Sequence, residues 1–468
     1  MFNAFPKTCL SLSLALSLCL SGCPSASQTP ASQASKPAIT PTASPTPPPL
    51  QTFASDEQTI KFASADEVKR LRDSGLVDKY NALGFKLFKA IFAKQGLKEN
   101  ILISPLSIVL ALAMAYNGSA GETRKQMAQV LDLEGFSVTE LNQLSQILWQ
   151  SLSVTPSKNL EVQIANSIWV DRKIPLKPQF AQENLKYYQA QLASLDFRYE
   201  PQQAADQINA WIEKKTRGLI KNVVSQQDVS QAILFLINTV YFKGSWKTAF
   251  HENTLEADFF PLSKPVIKVP MMLERNFTPY WQNPQTGTQF LQKVFEPSPQ
   301  ESHESARSLN YAMTFVLPAA SSELKNEVDT LDLQSWQAAL KEMTDKNGYY
   351  KIPKFESDFG LFLEDYFIQM GMKLPFDDIK ADFSNLLKEG STSISKILHE
   401  TKIKVHQKGV EAAAVTIIRF PFPSTNDPKI EFDFEANRPF LYLIHDLETG
   451  LVLFVGSLIN PEGTGDKP

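Results

Sequence analysis

The chain has 468 residues but only three cysteines, Cys9, Cys19 and Cys23, all before residue 24. Everything downstream therefore lacks a disulfide framework, a thiolate zinc site and a cysteine nucleophile. Histidine is also scarce: His251, His303, His399, His406 and His445 are the five. His399-Glu400 begins a zinc-protease pattern, but Ile403 stands where the second histidine belongs. No Gly-x-Ser-x-Gly elbow, Walker loop or dinucleotide-binding glycine motif occurs, and nothing points to a catalytic triad, so the chain reads as a non-enzyme. A basic excess is missing too. The 46 Lys and Arg against 50 Asp and Glu, a net of -4, argue against nucleic acid as a partner. Hydrophobic content of 43% with 21% charged residues is enough to bury a core.

The start is an address. Lys7 followed by the Leu/Ser/Ala-rich Leu10 to Leu20 reads as a secretory signal, too short to span a bilayer. Its end, Leu20-Ser21-Gly22-Cys23, resembles a bacterial lipobox, which makes residues 1–22 a lipoprotein signal peptide and Cys23 the lipid attachment. The expected location is the cell envelope, lipid-anchored or secreted, on the extracellular or periplasmic side. From Pro24 to Leu50 there are eight prolines in 27 residues, with Lys36 as the only charge. Such a tract favours extended polyproline II and, at about 3.1 Å per residue, reaches up to roughly 80 Å. Residues 23–65 are thus a tether, 66–463 one large domain and 464–468 a tail.

Within the body, Tyr80, Leu83, Leu87, Phe88 and Ile91 share a helical face, and Ser107 to Tyr116 is a helix apolar nearly all round, expected in the centre of the fold. A third helix spans Gln202 to Arg217. Ala232 to Phe242 reads as a strand buried on both faces. Further strands are expected at Glu161 to Val170, Tyr311 to Leu317, Tyr349 to Phe355, Phe440 to Asp446 and Gly450 to Ile459. With helices early and strands late, the class is α+β.

Residues 407 to 435 are unusual: an alanine run followed by a proline-punctuated loop, set between strands. Alanine alone suggests a surface helix. Laid out as a strand, however, the stretch puts Val410, Ala412, Ala414, Thr416 and Ile418 on one face. Glu411, Ala413, Val415, Ile417 and Arg419 take the other, so both charges fall together. An exposed loop patterned as a half-buried strand is one that could join a sheet.

These residues resemble the serpin family. Gly409-Val410-Glu411-Ala412-Ala413-Ala414-Val415-Thr416 is similar to the serpin hinge, and Phe434 to Ile444 to the C-terminal signature. Asn100 to Ile108, Asn238 to Trp246, Val269-Pro270-Met271-Met272 and Ala381-Asp382-Phe383-Ser384 follow the family's order. The resemblance implies a central sheet A with further sheets B and C, about nine helices and an exposed reactive-centre loop. It implies inhibition without a catalytic residue or cofactor: a target protease cuts the loop, is acylated, and the loop inserts into sheet A. The implied partner is a serine protease, with cysteine proteases as a second class, and the chain acts as a monomer. Residues carried over are Ser104, Ser107, Asn238 and His399 for the shutter under the opening sheet. Trp246, Lys354 and Gln407 correspond to the breach where the loop enters. The family commonly pairs that lysine with a glutamate, and Gln407 replaces it. Seventeen residues from Gln407 place the reactive bond at Pro423-Ser424, and a shifted register makes Phe422, Ser424 or Thr425 the specificity residue. The alternative is a non-inhibitory relative that binds or carries a ligand. A solute-binding lipoprotein would fit the tether but not the late alanine-rich loop. The polar stretch Ser298 to Ser308 reads as a solvated loop extension.

Overall fold

The helix expected at the centre is there. In the computed structural model every residue of Pro105–Gly118 is buried. The described residues are 62–152, 159–262, 264–297, 310–388, 391–410 and 428–462, with the backbone of 52–53. Ser104 caps this helix, its Oγ accepting from the Ser107 N–H at 3.4 Å, and Pro105 takes the first turn, where a missing N–H costs nothing. With α1 (Ala65–Asp73) and α2 (Leu76–Gln95) preceding it, this is α3. Helix α2 buries the expected Tyr80, Leu83, Leu87, Phe88 and Ile91, and also Val77, Gly84, Phe85 and Phe92. The wider face follows from its place against α3: a Cβ at Gly84 would lie 2.4 Å from the Pro105 ring. Eleven α-helices stand among the described residues. Short ones such as Gln226–Ser230 and Glu364–Gln369 carry too few turns for a readable period.

The first sheet has seven strands: β1 (Thr52–Phe53), β3 (Leu160–Asp171), β4 (Gln191–Leu195), β5 (Leu234–Ser245), β11 (Phe355–Phe362), β12 (Lys396–His406) and β13 (Gly409–Val410). Their order is β1-β4-β3-β5-β13-β12-β11. Strand β5 is buried on both faces, as its unbroken apolar run requires. Leu234, Leu236, Val240 and Phe242 enter the main core, while Phe235 and Ile237 pack with Trp169, Ile208 and Ile212 in a second cluster. Strand β1 lies within the stretch read as tether and pairs with β4 at Thr52↔Ala193 and Phe53↔Leu192. The body's sheet thus takes up two residues upstream of 66.

The second sheet joins β2 (Ile101–Ile103), β6 (Thr254–Phe259), β7 (Ile267–Gln282), β8 (Gln289–Val294), β9 (Tyr311–Leu317), β10 (Thr344–Pro353), β14 (Phe432–Glu435), β15 (Phe440–Asp446) and β16 (Val452–Leu458). It runs β14-β10-β7-β8-β9-β15-β16-β2, with β6 on β7. What the resemblance names as sheets B and C is one ladder here, because β7 pairs with β6 and β10 and then with β8.

The strand expected over Tyr349 to Phe355 is a correction. The chain changes sheets at Lys354, so β10 ends at Pro353 and β11 begins at Phe355. The burial phase slips there: Tyr350 and Ile352 are buried before it, Phe355, Ser357 and Phe359 after it. A one-residue slip turns side chains to the opposite face, which a single strand cannot do.

Candidate functional site

The site is the junction between β5 and β12. They pair in parallel over only Lys396↔Phe235, Ile397↔Leu236, Leu398↔Ile237, His399↔Asn238 and Glu400↔Thr239. Above Glu400, β12 keeps its ladder with β11 on the far side, while no pairing joins residues 401–404 to 240–243 among the described residues. Higher still, β13 enters between them, Val410 opposite both Val405 and Gly244, and Gly409 opposite His406 and Ser245. Gly409 and Val410, the first two residues of the expected hinge, are therefore already sheet residues.

Gly409 is required for this. Its φ is +152°, and a Cβ would lie 2.0 Å from the Gly244 carbonyl oxygen. Val410 is fully buried in the main core.

The closed end carries the four expected shutter residues, and the structure brings them together. His399 is buried and its Nε2 accepts from the Ser104 N–H at 3.0 Å, which places the ring proton on Nδ1. Burial pushes the imidazole down from 6.5 to about 3, so the ring is neutral at physiological pH. Asn238, beside His399 in register, donates from Nδ2 to Oδ1 of Asn166 on β3. Thr401 donates to the carbonyl of Leu102 at 2.7 Å. Sequence reading missed Asn166. Its signal is a lone amide between Ile164 and Ile168 of a largely buried strand, since a buried amide needs a partner.

At the open end, Trp246 stacks on Phe295 at 4.5 Å and its Nε1 donates to the His406 carbonyl at 3.0 Å. Gln407 does not bond Lys354: its Nε2 donates to the Glu252 carbonyl at 3.2 Å. Lys354 forms no ion pair among the described residues. Its charge, after burial and ahead of that of Lys408, holds the His406 imidazole below its ordinary value. The three residues expected at the breach thus meet around the turn at 406–408, but without the charge pair that the resemblance leads one to expect. Lys293 of β8, which sequence reading passed over, lies beneath this turn, paired with Glu274.

Residues 411–427 lie outside the described residues, and with them Glu411, Ala412, Ala413, Ala414, Val415, Thr416, Phe422, Pro423, Ser424 and Thr425. So do Cys23 and Ser298 to Ser308. The segment's ends are held on different sheets. Val410 sits in the first, while the Pro428 and Lys429 carbonyls each accept from Asn347 Nδ2 of β10 at 2.9 Å. Chemically the arrangement offers a pre-started slot for one more strand, closed below by a short parallel ladder.

A family profile described as Serpin (serine protease inhibitor) matches residues 78–461. An uncharacterized serpin-like protein of Thermococcus kodakarensis is 30% identical over 404 residues, covering 86% of this chain and 90% of that protein. Antithrombin-III of Mus musculus is 29% identical, covering 78% of this chain and 77% of its own. Among solved structures, the thermophilic serpin tengpin in its native state superposes with a TM-score of 0.71 at 26% identity, covering 87% of this chain and 97% of that one.

Proposed function

The chain belongs to the serpin family, whose members are in general non-enzymatic inhibitors, and from that membership we propose that it traps serine proteases by offering its own loop as substrate. The observation that carries this reading is β13: the hinge begins as a strand between β5 and β12, with its side chain at 410 already buried. In the proposed reaction the protease's serine oxygen attacks the Pro423 carbonyl carbon. The C–N bond to Ser424 breaks, the new amine leaves with a proton, and Pro423 stays as an ester on the protease. The freed segment then extends β13 downward, separating the five pairs below. About ten new ladder bonds at ~1 kcal/mol each, with apolar burial at about 25 cal/mol per Å², drive the movement. The uncut form is held by a barrier. Small side chains at Ala412, Ala413 and Ala414 let each step pass between strands.

The same reading takes Cys23 as a lipid anchor and the residues between it and β1 as the spacer that presents a monomeric inhibitor outside the cytoplasm. Incubation with a panel of serine proteases, followed by denaturing gels and mass spectrometry of the cut site, tests it. A covalent complex that survives denaturation is expected, with the cut at Pro423-Ser424 or the adjacent register positions. Val410→Arg supplies the control, since an arginine cannot be buried at that position without a partner. It should turn the chain into a plain substrate, cleaved without complex. Complex at wild-type yield would remove the hinge assignment.

A further inference from the structure

The second sheet buries a cation directly beneath the gate. Lys293 is 4% exposed and Glu274, its partner on β7, 1%. The Lys293 ammonium bonds the Glu274 carboxylate, donates to the Thr248 carbonyl at 2.7 Å and meets the Tyr350 hydroxyl at 3.4 Å. Three rings enclose it, with centroids at 4.3 Å for Phe250, 5.4 Å for Tyr350 and 5.7 Å for Trp246. Trp246, Thr248 and Phe250 all belong to the five residues that follow β5. That segment in turn grips the turn before the hinge. Trp246 donates from Nε1 to the His406 carbonyl at 3.0 Å and from its backbone to Lys408 at 2.9 Å, and the Phe250 N–H donates to the Gln407 carbonyl at 2.9 Å.

A buried ion pair is a weak source of stability, because desolvation consumes most of the attraction and an apolar pair of equal volume does as well. What an ammonium adds is direction. Its three donors need acceptors on different sides, and here those acceptors lie on β7, on β10 and on the segment 246–250. The breach lacks its usual charge pair, since Gln407 turns to Glu252.

We propose that Lys293, with Glu274, is a positioning residue that locks segment 246–250 onto the 406–408 turn and so sets how readily the loop enters the sheet. The proposal rests on the insertion reading above, but the clamp itself can be tested without a protease. Lys293→Met alone strands a buried carboxylate, a cost that would confound the test, so the variant to use is Lys293→Met/Glu274→Gln in the full chain, which is neutral and close in volume. Residue-resolved amide hydrogen exchange should show the Trp246 and Phe250 amides exchanging at least tenfold faster than in wild type, with β15 and β16 unchanged. A peptide of the sequence 410–423 should also be taken up about tenfold faster. Wild-type exchange at these two amides, a rise spread evenly over β15 and β16, or wild-type peptide uptake despite faster exchange would each overturn the proposal. Failure of the inhibitor reading would show separately, as the absence of a covalent protease complex from wild type.

Discussion

Acidification from pH 8 to pH 5 should weaken the native fold by about 4 kcal/mol through two histidines that are buried uncharged. Burial brings His399 down from 6.5 to about 3 and His445 to about 4, the latter opposed by Asp446. Both folded values lie below the unfolded one, so the stabilisation is complete above pH 6.5 and is lost as pH falls through the window from 6.5 toward 3 and 4. At pH 5 the unfolded chain holds nearly one proton on each ring and the native state holds almost none. Over 1.5 pH units at 1.36 kcal/mol per unit, each ring thus contributes about 2 kcal/mol of destabilisation. His399→Gln leaves an acceptor for the Ser104 amide and removes that ring's titration, so the acid-induced loss should shrink by about 2 kcal/mol. Urea midpoints and unfolding rates at pH 8, 6.5 and 5, read by tryptophan emission, measure this in both proteins. Identical pH dependence in wild type and His399→Gln would refute the reasoning, as would a native His399 resonance titrating above pH 5.

Two further outcomes concern the gate. Gly409→Ala places a methyl against the Gly244 carbonyl, so β13 must leave the sheet. Losing two ladder pairs and the burial of Val410 costs about 2–4 kcal/mol. Limited proteolysis should then cut near 409–410 at least about thirtyfold faster, and unchanged kinetics would show that the seat of β13 is not tight. Gln407→Glu gives up the bond to Glu252 and sets a carboxylate near Lys354 and His406. At a partly exposed site this is worth about 0.5–1 kcal/mol, so heat-induced polymerisation should slow roughly two- to fivefold. Equal rates for the two proteins would count against a role for the missing charge pair.

What could be read from the sequence was what repeats or stands out locally. Helix α3 was legible because an all-round apolar helix has only one place to go, and β5 because its apolar run has no polar phase. Of the segment 409–416, singled out by its alanines and parity, only Gly409 and Val410 are described, and both are strand residues. Less legible was anything that depends on distant residues meeting. Lys293 and Glu274 are nineteen positions apart on neighbouring strands, and neither pattern nor spacing marks them as a pair. The split at Lys354 was present as a one-residue phase slip, but the alternation of apolar and polar residues on either side of it reads as one strand and concealed the change of sheet. Gln407 stood out in the sequence as a departure from the resembled pattern, while its acceptor, the Glu252 carbonyl, follows from the fold alone.

The short ladder between β5 and β12 runs parallel, whereas β13 is antiparallel to both. Parallel pairs are slightly less stable per residue than antiparallel ones. Extending β13 would exchange one parallel seam for two antiparallel seams, so part of the driving energy resides in strand polarity and not in any side chain. Such a spring is wound by the order in which the chain visits its sheet. On the insertion reading, surface substitutions would leave it wound, and a cut in the loop would release it by giving the returning strand a free end.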